Sequence, residues 1–284
     1  MSLSLQALFE HLPAATFVDR YFQQLPIAVP GGAEHLATLG TLDVLHTIAA
    51  QPGAKIERSR RGEWWPDDSR PTSDDVRSSL ADGWTFFVRH AERFHPPLGE
   101  LVEAFRRAFQ APIDIHFFCT PPASEGFGWH YDVEDVFILQ TQGSKKYRLR
   151  KNTVNPWPLV ETTPEDLSYE AERSLVMECL LRAGDWLYIP PGYWHAAQAE
   201  ELSISLSVGV MSPTAIDLFD QLRPLLVESL RWRQRLPLTG ELSGLSESAV
   251  RERLRGILAD LGKDLERRLT SDEFVDRCLK RKSD

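Results

Sequence analysis

The first part of the chain, up to about residue 110, spaces its apolar residues as short amphipathic helices do. Residues 1–25 predict short helices, with Thr16 as the N-cap of a helix over Phe17–Phe22. Pro26 ends this helical stretch before a predicted strand over Ile27–Val29. Further predicted elements are a helix over Leu42–Ala50 behind Thr41, a polar irregular stretch over residues 51–72, a short helix over Ser73–Leu80, a strand over Trp84–Arg89 and a helix that begins at Pro96.

From Ile113 onward the pattern changes to short runs of β-type composition, separated by Gly, Pro and polar turns. The predicted strands are Ile113–Cys119, Val136–Gln140, Lys145–Arg150, Ser174–Leu181, Asp185–Ile189, Tyr193–Gln198 and Leu202–Val210. No helical pattern separates these runs, which is typical of an antiparallel sandwich or barrel. Residues 152–173 form a longer polar excursion of the kind that often lies over the mouth of a site.

The pattern returns to helical spacing after Ser212. One apolar stripe runs from Ile216 to Leu230, another begins at Ser246, and Thr270 is the predicted cap of a last short helix. The chain therefore predicts an α+β fold in two regions. The first is a β-rich domain over 1–211, with a barrel core over about 84–211, and the second is a helical region over 212–284.

Charged residues are distributed unevenly along the chain, and this distribution limits the classes of binding partner. Residues 1–212 hold 18 Lys and Arg against 28 Asp and Glu, whereas residues 213–284 hold 14 against 13. An acidic body argues against non-specific nucleic-acid binding and suits a basic protein segment, although simple solubility explains it equally well. The three cysteines are far apart and include no CxxC pair, and the sequence shows neither a signal peptide nor a membrane span, so we expect a cytoplasmic protein.

The candidate chemistry begins with His130 and Asp132, two residues apart at the start of a predicted strand and therefore on one face. The two glycines before them, Gly126 and Gly128, let the backbone approach a site closely. A predicted hairpin over Asp185–His195 brings a third metal ligand, His195, opposite His130. Two histidines and one carboxylate with open positions is the arrangement of non-haem Fe(II) oxygenases, in which the open positions accept a 2-oxo acid and O2.

For several other residues in this part of the sequence, two interpretations are open. Lys145 is either a surface lysine or an ammonium that faces into the barrel and holds a carboxylate as a point charge, since only one of Lys145 and Lys146 can point inward. His116 points into the barrel only if the strand register allows it. The aromatic side chains around the ligands shape a pocket or pack in the core, and they are Trp129, Tyr131, Tyr147 and Trp194.

Two motifs resemble the JmjC-type cupin oxygenases, and most of all their ribosomal-oxygenase branch. They are the segments Gly126–Leu149 and Leu180–His195, while Phe17–Pro26 is weakly similar to the family's entry segment. The resemblance covers roughly residues 10–235. It implies a double-stranded β-helix (cupin or jelly-roll fold) with iron on His130, Asp132 and His195. It also implies that Lys145 anchors 2-oxoglutarate.

The resemblance further implies a protein hydroxylase that adds oxygen to the β-carbon of an Arg or His side chain in a ribosomal protein. It implies a homodimer formed through the helices that follow the barrel. The family branch also carries a winged-helix domain, for which residues 241–284 are too short, so the resemblance allows a substrate other than a ribosomal protein. The alternatives are hydroxylation of a biosynthetic peptide, a cupin metalloenzyme that does not use 2-oxoglutarate, and a non-catalytic interaction module.

Overall fold

The computed structural model describes residues 5–60, 63–65, 78, 80–163, 174–237 and 244–279. The chain divides into two compact units, Met1–Ser212 and Pro213–Asp284. Each unit has its own apolar core. No helix among the described residues is long and apolar enough to cross a membrane.

The first unit is built on two sheets in which every strand pair is antiparallel. The strands are β1 (Ile27–Val29), β2 (Ile56–Arg60), β3 (Glu63–Trp65), β4 (Thr85–Val88), β5 (Ile113–Thr120), β6 (Asp135–Gln142), β7 (Ser144–Arg150), β8 (Leu175–Arg182), β9 (Trp186–Ile189), β10 (Trp194–Ala199) and β11 (Ser203–Val210). The large sheet has the order β1-β9-β6-β11-β5-β4-β2-β3, and the small sheet has the order β10-β7-β8.

Helices pack against one face of the large sheet. They are α1 (Ala14–Arg20), α2 (Leu42–Ala49) and α3 (Pro96–Phe109), with 3-10 turns at Leu5–Phe9, Glu34–Leu39, Ala91–Arg93 and Val160–Thr162. Strand β5 shows how the sheet separates its two faces: Ile115 and Phe117 join the core with the helices, whereas His116 and Phe118 point to the other side. That other side faces the small sheet. A second apolar cluster lies there, in which Val136, Ile138 and Leu187 of the large sheet share the core with Tyr147 and Leu149 of β7.

In the second unit, the described residues form three helices, α4 (Asp217–Glu228), α5 (Glu247–Leu269) and α6 (Asp272–Leu279). Leu222, Leu225 and Phe274 form its small core. Asp264 is buried at 5% exposure, where it accepts hydrogen bonds from Trp232 Nε1 (2.9 Å) and Arg268 Nε (2.7 Å). Helix α5 begins behind Ser246, as predicted, and the Ser246 hydroxyl accepts a hydrogen bond from the Ala249 N–H.

The structure confirms the α+β class and the predicted strands of the β-rich part, with bounds that shift by one or two residues. Three predictions outside the candidate site are wrong. The polar stretch over residues 51–72 contains the hairpin β2–β3, helix α1 begins at Ala14 rather than behind Thr16, and the cap of α6 is Ser271, whose hydroxyl accepts from the Phe274 N–H. The predicted helix over Ser73–Leu80 lies largely outside the described residues.

Candidate metal and oxo-acid site

A cavity of about 740 Å³ lies between the two sheets of the first unit. Both sheets line it: His116 and Phe118 come from β5, Lys145 and Tyr147 from β7, and Ser205 and Ser207 from β11. The segment Glu125–Asp132, which precedes β6, closes one side. The cavity is therefore walled by this segment and by side chains that alternate inward along the strands.

His130, Asp132 and His195 converge at this cavity. One potential ligand atom from each lies within 4.8 Å of the others. His195 Nε2 is 3.4 Å from Asp132 Oδ2, and the centroids of the two imidazole rings are 4.2 Å apart. Residues that are distant in sequence thus form one compact cluster of two nitrogen ligands and one oxygen ligand.

Backbone hydrogen bonds explain how the three side chains meet. His130 N donates to His195 O (3.1 Å) and His195 N donates to His130 O (2.8 Å), which forms an isolated antiparallel bridge. Gly192 N donates to Asp132 O (2.8 Å). The prediction that His130 and Asp132 begin a strand is wrong, since β6 starts only at Asp135. The backbone bridge to His195 of β10, rather than a regular strand, orients the side chains of His130 and Asp132.

Both imidazole rings direct Nδ1 to a backbone carbonyl oxygen. His130 Nδ1 lies 3.0 Å from the carbonyl oxygen of Gly128, and His195 Nδ1 lies 3.0 Å from that of Tyr193. A carbonyl can only accept, so each Nδ1 carries the proton and each Nε2 presents its lone pair to the cluster. Burial, followed by the neighbouring His130, lowers the pKa of His195 to about 4, which keeps this ring neutral at neutral pH.

Lys145 is the inward-facing lysine of β7. Its Nζ donates to Thr120 Oγ1 (3.1 Å) and lies 5.8 Å from the centroid of the Phe118 ring. Burial lowers the pKa of Lys145 to about 8. Lys146 points outward and pairs with Glu178 at 2.8 Å. Lys145 forms no ion pair with the carboxylates that the structure describes, so its ammonium is available to an anion that enters the cavity.

The register settles the direction of His116, which lines the cavity beside Phe118 on the same face of β5. Burial lowers the pKa of His116 to about 4. Of the four aromatic residues considered from the sequence, Trp129, Tyr131 and Tyr147 line the cavity. Trp194 instead packs its ring against Tyr131, with centroids 4.8 Å apart.

Carboxylates form a further wall of the cavity that the sequence did not suggest. Glu134 lines it, and burial together with Asp114, Asp132 and Asp135 raises the pKa of Glu134 to about 8. Thr120, the partner of Lys145, was missed as well. It lies two and four residues beyond Phe118 and His116, so strand alternation on β5 is the signal that could have found it.

The donor set suits a divalent transition metal. Two imidazole nitrogens and one carboxylate oxygen would hold such an ion and would leave open coordination positions for other ligands. The hydrogen bonds from both Nδ1 atoms to backbone carbonyls are the outer contacts that fix histidine ligands in metal sites. The residues present therefore fit a metal ion.

Two facing antiparallel sheets with two histidines and a carboxylate clustered between them are the arrangement of a metal-binding cupin domain. The comparisons with known proteins agree with this fold, since residues 90–218 match the family model described as the JmjC domain. The double-stranded β-helix expected from the sequence is thereby confirmed.

Two relatives whose names state an activity have low sequence identity to this chain. Over 252 residues the chain is 26% identical to the bifunctional lysine-specific demethylase and histidyl-hydroxylase NO66 of Drosophila persimilis, which covers 83% of this chain and 36% of that protein. It is 26% identical to the ribosomal protein uL16 3-hydroxylase of Escherichia coli, over 71% of this chain and 53% of that protein. The chain thus spans between about a third and about half of the length of these relatives.

Solved structures show the same fold. The X-ray structure of E. coli YcfD matches with a TM-score of 0.64 and 22% identity, over 93% of this chain and 69% of that chain. A structure of YcfD, named as a ribosomal oxygenase, in complex with cobalt and 2-oxoglutarate matches with a TM-score of 0.61 and 21% identity, over 93% and 68% of the two chains.

Proposed function

We propose that this chain is an Fe(II)- and 2-oxoglutarate-dependent oxygenase that hydroxylates a side chain of a protein substrate. The observation that carries the proposal is the cluster of His130, Asp132 and His195 in one cavity with the buried ammonium of Lys145. The related YcfD has been solved with cobalt and 2-oxoglutarate, which supports the same pairing of metal and co-substrate here.

The metal ligands are His130 and His195 through Nε2, and Asp132 through a carboxylate oxygen. Their protonation states favour this, because each Nδ1–H is directed to a backbone carbonyl and each Nε2 is left as a donor to the metal. Bound iron supplies the O2 chemistry that couples decarboxylation of 2-oxoglutarate to insertion of one oxygen atom into a C–H bond. The overall products are succinate, CO2 and an alcohol on the substrate.

Lys145 binds the carboxylate of 2-oxoglutarate that is far from the metal. Its ammonium is buried against Thr120 and Phe118, where a charge–charge contact is only weakly screened by water. A cupin enzyme without a 2-oxo acid would have no use for this buried cation. Tyr147 and Phe118 narrow the cavity beside Lys145 and keep water away from the bound oxo acid.

The substrate that we favour is a basic segment of a ribosomal or other protein, modified at the β-carbon of Arg or His. The E. coli relative is named as a ribosomal protein hydroxylase and the Drosophila relative as a histidyl-hydroxylase. The excess of carboxylates in residues 1–212 suits a cationic partner. We further propose a cytoplasmic homodimer in which residues 1–211 are the oxygenase domain and residues 212–284 provide the dimer contact.

Mass spectrometry tests this assignment. The chain is incubated with candidate ribosomal proteins and peptides, Fe(II), 2-oxoglutarate and O2, and each substrate is searched for the added mass of one oxygen atom. We expect the added oxygen on an Arg or His residue, and only when both Fe(II) and 2-oxoglutarate are present. Oxygen added equally without 2-oxoglutarate would contradict the proposed co-substrate.

A further inference from the structure

Two of the three proposed metal ligands lie on a segment without regular secondary structure, Gly126–Asp132. Gly126 and Gly128 have positive φ angles of 60° and 72°, and together they form the turn before His130. A Cβ added at Gly128 would meet no atom within 4 Å, so close packing around this glycine does not fix the turn. The buried hydrogen bond from the Ser59 hydroxyl to the Gly126 carbonyl oxygen (3.0 Å) holds the first glycine, and contacts of the residues around the turn hold the rest.

The two ends of the segment are held in different ways. After the turn, the backbone bridge from His130 to His195 and the hydrogen bond from Gly192 to Asp132 tie the chain to β10. Inside the turn, the Phe127 ring packs against the Phe87 ring, and the two ring centroids are 4.9 Å apart. Neither set of contacts involves the side chain of Trp129, the residue between the turn and the first ligand. A further contact must therefore fix the direction of this side chain.

Trp129 is covered by two arginines of β7. The guanidinium carbon of Arg150 lies 3.8 Å from the centroid of the Trp129 ring, and that of Arg148 lies 5.6 Å away. Arg148 also contacts Glu125 on the other side of the turn, at 3.5 Å between Nη2 and Oε1. Arg148 thus contacts a residue on each side of the two-glycine turn, and Arg150 contacts the residue that follows it.

We propose that Glu125, Trp129, Arg148 and Arg150, named here the arginine bracket, position His130 and Asp132 for metal binding. These four are positioning residues, because they act through the ligand segment and do not touch the metal. The bracket spans the two glycines and removes the freedom that positive-φ glycines would otherwise leave next to the ligands. The inference rests on the proposed metal site and concerns residues outside it.

Strand β7 is well suited to carry such a bracket. It is the central strand of the small sheet, paired with β10 on one side and β8 on the other. Its residues alternate, so that Lys145 and Tyr147 point into the cavity while Lys146 and Arg148 point outward. One strand therefore fixes both the proposed oxo-acid anchor on its inner face and the ligand segment through its outer face.

Metal binding by the full chain tests the bracket without any turnover. The affinity for Co(II) is measured by titration calorimetry, with the Co(II) absorption spectrum as a second readout of ligand geometry. The variants are Trp129→Leu, Arg150→Gln, their combination and the conservative Trp129→Phe. The matched control is Lys146→Gln, which removes a cation from the same outer face of β7 but pairs with Glu178 rather than with the ligand segment.

We expect Trp129→Leu and Arg150→Gln each to weaken Co(II) binding by about tenfold, a factor equivalent to ~1.4 kcal/mol. The double variant should lose less than the product of the two, because both remove the same contact. Trp129→Phe should restore most of the affinity, and Lys146→Gln should bind as the wild type does. Circular dichroism verifies that each variant is folded, and Arg150→Gln decides the matter if Trp129→Leu is not.

Two negative results have separate meanings. If His130→Ala removes Co(II) binding while Trp129→Leu and Arg150→Gln bind as the wild type does, the arginine bracket is wrong and the metal site stands. If His130→Ala itself binds Co(II) with unchanged affinity, the proposed metal site is wrong, and with it the function on which this inference rests.

Discussion

At the scale of single residues, Lys145 is a charge that the proposed site places where burial disfavours it. The folded chain keeps an ammonium away from water with a hydroxyl, Thr120 Oγ1, as its hydrogen-bond partner. This arrangement costs stability in the absence of an anion, since a buried charge without a counter-charge is poorly solvated. An incoming carboxylate supplies the missing counter-charge, so the unfavourable burial becomes binding energy.

We therefore expect Lys145→Met to weaken 2-oxoglutarate binding and to leave the ligand-free protein at least as stable. The loss in affinity should be about 10- to 100-fold, because hydrogen bonds to charged groups contribute ~1.5–3 kcal/mol. Titration calorimetry in the presence of Mn(II) measures the affinity, and thermal unfolding measures the stability. Lys146→Met is the control and should change neither. Unaltered affinity in Lys145→Met would remove Lys145 from the proposed co-substrate site.

The pKa of Lys145 makes a second measurement possible with the same protein. Its folded value of about 8 lies below the ordinary value of 10.5, so between these pH values the unfolded chain binds more protons than the folded chain. The contribution of Lys145 to the free energy of unfolding therefore rises with pH across that window. Affinity for 2-oxoglutarate should fall over the same window as the ammonium is lost, and a pH-independent affinity in the wild type would contradict this.

Gly209 lies on β11 at a position where two carboxylates leave no room for a side chain. A Cβ at this position would lie 2.5 Å from Asp114 Oδ1 and 2.7 Å from Glu134 Oε1. We expect Gly209→Ala to lower the free energy of unfolding by roughly 1–3 kcal/mol, the usual cost of overpacking. Urea unfolding measures it, and a variant as stable as the wild type would show that the two carboxylates move apart freely.

The proposed ligands could be recognised from the sequence because their residue types and spacing limit the chemistry. Lys145 and His116 could not be assigned in the same way, since their direction depends on strand register. The contact of Lys145 with Thr120 and the position of His116 beside Phe118 exist only once the two sheets face each other. The partners of Trp129 were missed for a similar reason. Arg148 and Arg150 look like ordinary surface residues until the fold brings them against the ligand segment.

At the scale of elements, the structure separates strands that a hydrophobic pattern identifies from those that only pairing creates. Strands β5, β6 and β11 have runs of buried apolar residues and were predicted. Strand β2, with the sequence Ile-Glu-Arg-Ser-Arg, was not, because charged residues dominate it. Its pairing with β4 buries Ile56 and Ser59, and the Ser59 hydroxyl donates to the Gly126 carbonyl. Such a strand depends on tertiary contacts rather than on β-propensity.

Helix α5 offers a prediction that concerns one element of the second unit. It is 23 residues long and contains two exposed glycines, Gly256 and Gly262, where an added Cβ would meet no atom within 4 Å. We expect Gly256→Ala and Gly262→Ala each to raise the free energy of unfolding of this unit by roughly 0.5–1 kcal/mol, because Gly loses more backbone entropy than Ala in a helix. Calorimetric unfolding checks this, and a lower transition temperature would show that the glycines face a neighbouring chain.

At the scale of the whole molecule, the proposed division of labour is chemistry in the first unit and self-association in the second. The second unit exposes large apolar side chains on and beside α4: Ile216 is 55% exposed, Phe219 53% and Leu230 78%. Large apolar side chains that remain open to water within and beside one helix are typical of an interface. These exposed side chains support the proposed dimer. The helical spacing in the sequence predicted only an apolar stripe from Ile216 to Leu230.

We expect the full chain to elute as a dimer in size-exclusion chromatography with light scattering, and Phe219→Glu to elute as a monomer. The charge added at Phe219 would have to be buried in the interface at a cost of several kcal/mol, which is enough to separate the subunits. Ser248→Glu adds the same charge to a polar surface of the same unit and should stay dimeric. A wild-type chain that is monomeric at all concentrations would contradict the dimer.

The central claim is that His130, Asp132, His195 and Lys145 form the site of a 2-oxoglutarate-dependent oxygenase. Succinate formation from 2-oxoglutarate tests it most directly, since it reports the co-substrate half of the reaction before the protein substrate is known. With Fe(II) and O2, the wild-type chain and Lys146→Gln should both form succinate, and His130→Ala should form none above background. Equal succinate formation by His130→Ala and the wild type would contradict the account.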